Sequence, residues 1–365
     1  MVEPHAPSVT SALHKLIAEQ VGRSGGWLPF DRYMALALYA PGLGYYANTS
    51  RKFGTMPASG SDFATAPEMS PLFGQCLAVQ VGEALQQTGT QEVWEFGAGS
   101  GALARELLQA LDTRVRRYTI VELSAALRER QQQALAAFGD RVQWVSELPA
   151  QMAGVVVGNE VLDAMPVKLL VRKNLVWHER GLALHDGQLA WSDVLTHLRP
   201  PVEPSGTHDY FTELHHQAEA FVRTLAERLT AGAAFFIDYG FPEAEYYHPQ
   251  RHMGTLMCHR GHMADPDPLE APGEKDITAH VNFTGIAVAA QDAGLPTLGY
   301  ATQGRFLVNC GIGERMEAVP LQKQAAAQRL VAEHEMGELF KVIGFQRGAF
   351  WNAIGFRTGD RTHTL

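Results

Sequence analysis

An α/β fold built on a doubly wound parallel sheet is predicted by three features of the chain. Apolar runs alternate with helical periods from Val93 onward, a glycine turn follows the first of those runs, and carboxylates stand at the ends of most of them. The runs fall at 92–96, 117–122, 142–145, 154–158 and 233–238, with helical periods near 101–111, 124–138 and 210–230.

Ahead of this pattern, Val9, Leu13, Leu16, Ile17 and Val21 recur at helical intervals up to Gly22, which predicts an amphipathic helix over 8–22. A second helix is expected over Phe30 to Tyr39, broken by Pro41-Gly42-Leu43-Gly44. Residues 48–71 are rich in Gly, Ser, Thr and Pro and read as a long functional loop, with a helix starting near Pro71. Two inserts interrupt the alternation. One, at about 167–195, reads as a meander with turns at Asn174 and Asp186-Gly187; the other, at about 241–285, is dense in Pro, His and Asp. The expected organisation is a helical N-terminal region and lid over 1–60 and a core over 61–365 carrying both inserts.

The 365 residues, 46% of them apolar, are enough for a substantial core. A formal charge of -9 leaves no basic footprint, which argues against nucleic acid as the main partner and suits a cationic substrate. Cys76, Cys258 and Cys310 are an odd, widely spaced set, as expected in a reducing compartment. No apolar run reaches membrane-spanning length, and the start of the chain, with Glu3, His5 and two prolines, resembles neither a signal nor a transit segment. A cytoplasmic protein with no membrane contact is the expectation.

Val93-Trp94-Glu95-Phe96 runs into Gly97-Ala98-Gly99-Ser100-Gly101, a turn whose amides can approach a ligand with no Cβ in the way. Gly97, Gly99 and Ala102 also satisfy a dinucleotide fingerprint, with Glu122 placed for a ribose hydroxyl, so a nicotinamide dehydrogenase is one alternative. Glu95 separates the two. A carboxylate there repels a pyrophosphate and attracts the ammonium and sulfonium of S-adenosylmethionine. In that case Glu122 takes the ribose hydroxyls and Leu123 lies against the adenine.

A second apolar run ends in Asn159-Glu160, with Asp163 three residues on; one helical turn would bring both carboxylates to the same side, where they could hold a guanidinium. The alternative is that Asp163 caps a turn and Glu160 only lines the cofactor. The loop carrying Asp62, Thr65 and Glu68 reads either as a lid over the cofactor or as an exposed turn. His280 lies in a polar run before an apolar helix and reads either as a side chain in the crevice or as a structural histidine. His248, His252, Cys258, His259 and His262 have no ordered zinc spacing, and Gly254-Thr255-Leu256-Met257 between them reads as a strand, so no metal is expected.

Together these segments resemble the MidA family of class I S-adenosylmethionine-dependent methyltransferases, which includes the mitochondrial arginine methyltransferase needed for assembly of respiratory complex I. The likeness runs from Tyr33-Met34 and Pro41-x-x-Gly44-Tyr45-Tyr46 through Asp62-Phe63-x-Thr65-x-Pro67-Glu68, the glycine turn and Asn159-Glu160-x-x-Asp163-Ala164-x-Pro166-Val167. It continues through Asp238-Tyr239-Gly240, Gly254-Thr255-Leu256 and Asp276-Ile277-Thr278-x-His280-Val281 to Thr302-Gln303-x-x-Phe306-Leu307. Lys168 and Asn282 depart from it, where the family often has histidine and aspartate.

The resemblance implies a Rossmann-like methyltransferase sheet with a helical N-terminal region and substrate-covering inserts. It also implies methyl transfer to an arginine side chain of a protein substrate. On this reading Asp62, Thr65, Glu68, Glu95, Gly97, Gly99, Gly101, Glu122, Leu123 and Asn159 hold the cofactor, and Glu160, Asp163 and His280 serve the reaction. A small-molecule methyltransferase and a cofactor-binding assembly factor without turnover are the alternatives, and a homodimer is left open.

Overall fold

The computed structural model describes residues 8–48, 65–260 and 263–365, which divide into two compact units. The larger takes in 65–163, 218–242 and 281–365, and the smaller takes in the described residues of 8–48, 164–217 and 243–280. Both inserts expected from the sequence therefore share most of their residues with the unit that contains the N-terminal helices.

The larger unit is organised by eight strands: β1 (Glu92–Phe96), β2 (Arg117–Val121), β3 (Val142–Val145), β4 (Met152–Asn159), β5 (Leu229–Phe241), β6 (Val281–Asn282), β7 (Thr297–Thr302) and β8 (Phe340–Arg347). They lie in the order β7-β8-β5-β4-β1-β2-β3, with β6 beside the end of β5. Pairing is parallel from β5 through β4, β1 and β2 to β3, and antiparallel on both sides of β8. From β1 the chain first moves outward to β2 and β3, then returns to the other side through β4 and β5. The order reverses between β1 and β4, which is where sheets of this kind bind ligands.

Val155, Val156 and Val157 are all fully buried, because helices cover both faces and neither side of β4 meets water. The helix Pro71–Thr88, begun by Ser70 accepting the Leu72 N–H and ended by left-handed Gly89, packs with Ala102–Leu111 on the side of Val93, Tyr118, Ile120 and Val157. Across the sheet, Phe96, Phe221 and Phe236 form edge-to-face pairs at 5.0 and 5.8 Å.

The smaller unit holds the helices Val9–Arg23 and Phe30–Tyr39 and an antiparallel sheet made by Leu28–Pro29, Lys168–Lys173, Val176–His185, Gln188–Leu195 and Tyr210–Leu214. Its hairpins turn at Asn174-Leu175 (φ 49° and 66°) and Asp186-Gly187 (φ 50° and 79°), left-handed pairs that match the twist of the strands.

Two expectations are corrected here. Residues 210–230 are not one helix: Tyr210–Leu214 is a strand paired with Lys168–Lys173, and the helix is His216–Arg228. The run Tyr210-Phe211-Thr212 favours a strand, and partners distant in sequence supplied its ladder. Gly254–Leu256 is not a strand either. The amides of Thr255 and Leu256 are drawn to Glu213 at 2.7 and 2.9 Å, and the strand starts at Met257.

Candidate active site

At the carboxyl end of β1, Glu95 is buried and accepts a hydrogen bond from the Tyr118 hydroxyl at 2.7 Å. Burial pushes its carboxyl up to about 8; the Tyr118 bond opposes this and the Glu122 charge adds to it. The turn that follows holds Gly97, Gly99 and Gly101 at φ 64°, 53° and 84°, a left-handed path that favours glycine. A Cβ on Gly97 would also come within 2.8 Å of Val161 Cγ2. Ser100 in the turn donates to Glu68, which stands on the short helix Ala66–Met69 with Thr65 as its N-cap. Asp62 lies outside the described residues.

Glu122, just past β2, has one oxygen fixed by the Ser124 N–H at 2.7 Å and the other by Gln131 Nε2 at 3.0 Å. Burial raises its pKa, against the pull of these donors. Leu123 beside it is 75% exposed, an apolar side chain with little covering it.

At the end of β4, Asn159 donates from Nδ2 to Glu160 at 3.0 Å, while its buried Oδ1 has no hydrogen-bond partner among the described residues. Glu160 has φ 53°, a strained position for a residue with a side chain, and its N–H is held by the Ile237 carbonyl at 2.9 Å. The segment beyond is a turn and not the helical turn expected. What shapes it is Asp238, whose Oδ2 accepts from the amides of Val161, Leu162 and Asp163 at 3.1, 2.9 and 3.3 Å and whose Oδ1 accepts from Tyr239 N at 3.0 Å. Asp238 is fully buried, and burial, then the charges of Asp163 and Glu160, push its carboxyl well above the usual range. Three carboxylates are thus gathered at the ends of β4 and β5. The sequence does not point to Asp238 as catalytic; its signal there is an acid in the Asp238-Tyr239-Gly240 run at the end of an apolar strand.

His280 belongs to the smaller unit, where its N–H donates to Thr255 Oγ1 at 3.1 Å, and it lies directly before Val281 in β6. The two departures from the family pattern have local roles. Lys168 pairs with Glu179 at 2.7 Å and Asp31 at 3.2 Å, and Asn282 caps the helix Phe283–Asp292 by accepting the Gly285 N–H at 3.2 Å. Among the described residues no group of His, Cys, Asp and Glu is placed to hold a metal ion, and no helix is long and apolar enough to cross a membrane.

The donor set fits S-adenosylmethionine. Carboxylates flank a glycine turn too tight at Gly97 for a Cβ, and the orphaned Asn159 Oδ1 is an acceptor waiting for a donor. Residues 76–301 match the profile of a family described as S-adenosyl-L-methionine-dependent methyltransferases. The chain belongs to the MidA family of these methyltransferases.

Within reach of this family is a crystal structure from Burkholderia thailandensis, described as a candidate methyl transferase bound to S-adenosyl-homocysteine. It is 46% identical, has a TM-score of 0.93, and aligns over 99% of this chain and 100% of that one. Relatives named mitochondrial protein arginine methyltransferase NDUFAF7 are 28% identical in Caenorhabditis elegans, over 85% of this chain and 79% of the relative, and 27% in Danio rerio, over 92% and 86%. These names overturn the cytoplasmic expectation, since the curated relatives are mitochondrial. Three reduced cysteines, all buried, are a property of any reducing compartment and carry no address. The names say nothing about a homodimer.

The protein is an S-adenosylmethionine-dependent methyltransferase. With its carboxyl near 8, free Glu95 is mostly protonated at pH 7, and the sequence expectation that the cofactor's cationic end meets it carries a test, because a cation there would favour the ionised form. Cofactor binding is expected to release close to one proton at pH 7, and affinity to rise with pH until about 8. Calorimetry in buffers of different ionisation enthalpy reads the proton directly; Glu95→Gln should abolish it. The sign for folding is the reverse. Because the folded pKa is raised, the native state without cofactor holds the extra proton, and Glu95 costs stability as pH climbs from the ordinary carboxylate range through about 8.

Proposed function

We propose that this protein methylates an arginine side chain of a protein substrate, with Glu160 and Asp163 facing the guanidinium. The single observation that carries this is the trio of carboxylates, Glu160, Asp163 and Asp238, at the ends of β4 and β5 beside the strand that bears the glycine turn. The names of the relatives support the same acceptor.

A guanidinium stays protonated at any ordinary pH, so its nitrogens attack poorly until carboxylates localise the charge and take the proton. When bound, S-adenosylmethionine supplies an electrophilic methyl on a sulfonium. Glu160 and Asp163 orient the acceptor nitrogen and receive its proton. Asp238 holds the turn in shape through the amides it accepts. Glu95 and Asn159 meet the cofactor's cationic end, Glu122 its ribose, Leu123 its adenine, and the turn of Gly97, Gly99 and Gly101 its backbone-facing side.

Thr65 and Glu68 are assigned to the cofactor because Ser100 ties Glu68 to that turn. Asp62 joins them by its place in the same motif. His280 keeps the role in the reaction that the family resemblance implies for it. The N-terminal segment over 1–60 and both inserts are assigned to substrate selection.

The first test is binding. Glu122→Ala removes an anionic acceptor of two ribose hydroxyls and is expected to weaken S-adenosylhomocysteine about 100-fold by calorimetry. An unchanged affinity would remove Glu122 from the pocket.

A further inference from the structure

Gln131, on the helix Ala125–Ala134, is fully buried, and its amide reaches both halves of the cofactor rim. Nε2 donates to Glu122 Oε2 at 3.0 Å and to the Gly99 carbonyl at 3.0 Å, which uses both of its hydrogens. Oε1 accepts from Trp144 Nε1, on β3, at 3.0 Å. The indole N–H can only donate, so this last contact decides which end of the amide faces the carboxylate. Turned over, the amide would set its NH2 against the indole N–H and its oxygen against both a carboxylate and a carbonyl.

We propose that Gln131 is a positioning residue for the cofactor's ribose and that Trp144 is the latch that fixes its orientation. The inference rests on the assignment of Glu122 to the ribose hydroxyls. Ser124 N and Gln131 Nε2 each occupy one oxygen of Glu122, so the carboxylate is held from both sides and presents its remaining lone pairs in one direction. The same amide pins the carbonyl of Gly99, so the turn after β1 and the acid after β2 are set by one side chain.

The charged neighbours of Glu122 are Glu95 on β1 and Arg128 on the same helix as Gln131. In Gln131→Glu a second carboxylate meets Glu122, and like charges at that distance force one of the pair to keep a proton. A protonated acid at this position can still donate to Glu122, so the variant is expected to recover as the pH falls.

The test is calorimetric titration of S-adenosylhomocysteine into the full chain and three variants, with thermal unfolding followed alongside. Gln131→Met and Trp144→Phe are expected to raise Kd roughly 10-fold or more. For Gln131→Glu, the ratio of its Kd to that of the wild type should fall by about 10-fold between pH 8.5 and 6, a trend that a merely structural loss would not give. If the wild type binds but Trp144→Phe and Gln131→Met bind within about twofold of it, or the Gln131→Glu ratio is flat with pH, the latch is wrong and the ribose assignment survives. A wild type that binds no S-adenosylhomocysteine overturns the assignment and the latch with it.

Discussion

Asp163→Asn and Glu160→Gln are each expected to lower methyl-transfer turnover by roughly 10² to 10⁴-fold, the range for loss of a positioned acid or base, while S-adenosylhomocysteine binding stays within about threefold of wild type. The two effects separate because these side chains stand past the end of β4, whereas Glu122, the residue proposed for the ribose, and the glycine turn follow β2 and β1. A neutral amide keeps the shape of each carboxyl but can neither draw charge away from the attacking nitrogen nor take its proton. Glu160 is held at φ 53° and touched by Asn159 Nδ2, so its replacement by glutamine leaves the backbone path intact. Single-turnover kinetics with labelled cofactor, beside a binding isotherm, check the separation. Equal losses of binding and rate would place these residues on the cofactor instead.

The second large effect is structural. Asp238→Ala is expected to destabilise the fold by about 3 kcal/mol or more, because four backbone N–H groups lose their acceptor inside the protein and each orphaned donor costs about 1–3 kcal/mol. Relief of repulsion from Asp163 and Glu160 offsets part of this, and Asp238→Asn isolates that part by removing the charge while keeping one acceptor oxygen. The expected order of urea midpoints is therefore wild type, then Asp238→Asn, then Asp238→Ala. An Asp238→Ala protein that unfolds with the wild type would mean that the turn from Val161 to Asp163 stands without its anchor.

Much of the core was legible because each signal is local. The strand at 92–96 is an apolar run buried from Val93 to Phe96, the edge strand at 142–145 keeps apolar Val142, Trp144 and Val145, and the bend at Gly97, Gly99 and Gly101 is the path that favours residues without a Cβ. The acids at strand ends were legible for the same reason. What escaped depends on partners far along the chain. Asp238 lies 75 residues from Asp163, so its grip on that turn has no trace in the segment from 159 to 163, which then reads as one more helical turn. Tyr210–Leu214 became a strand because Lys168–Lys173 offered a ladder. Gln131 is one of three consecutive glutamines on a polar helix, and nothing in the sequence tells the buried one from its exposed neighbours. Location was not legible at all, since composition and buried thiols do not encode it.

The most direct measurement is the fate of the methyl group. Extract from cells lacking the protein, incubated with methyl-labelled S-adenosylmethionine and the purified enzyme, should carry label on arginine residues after protein hydrolysis and mass spectrometry. Asp163→Asn should leave that signal near background. Label confined to small metabolites or to another side chain, with Asp163→Asn as active as wild type, would contradict a guanidinium held among the acids of β4 and β5.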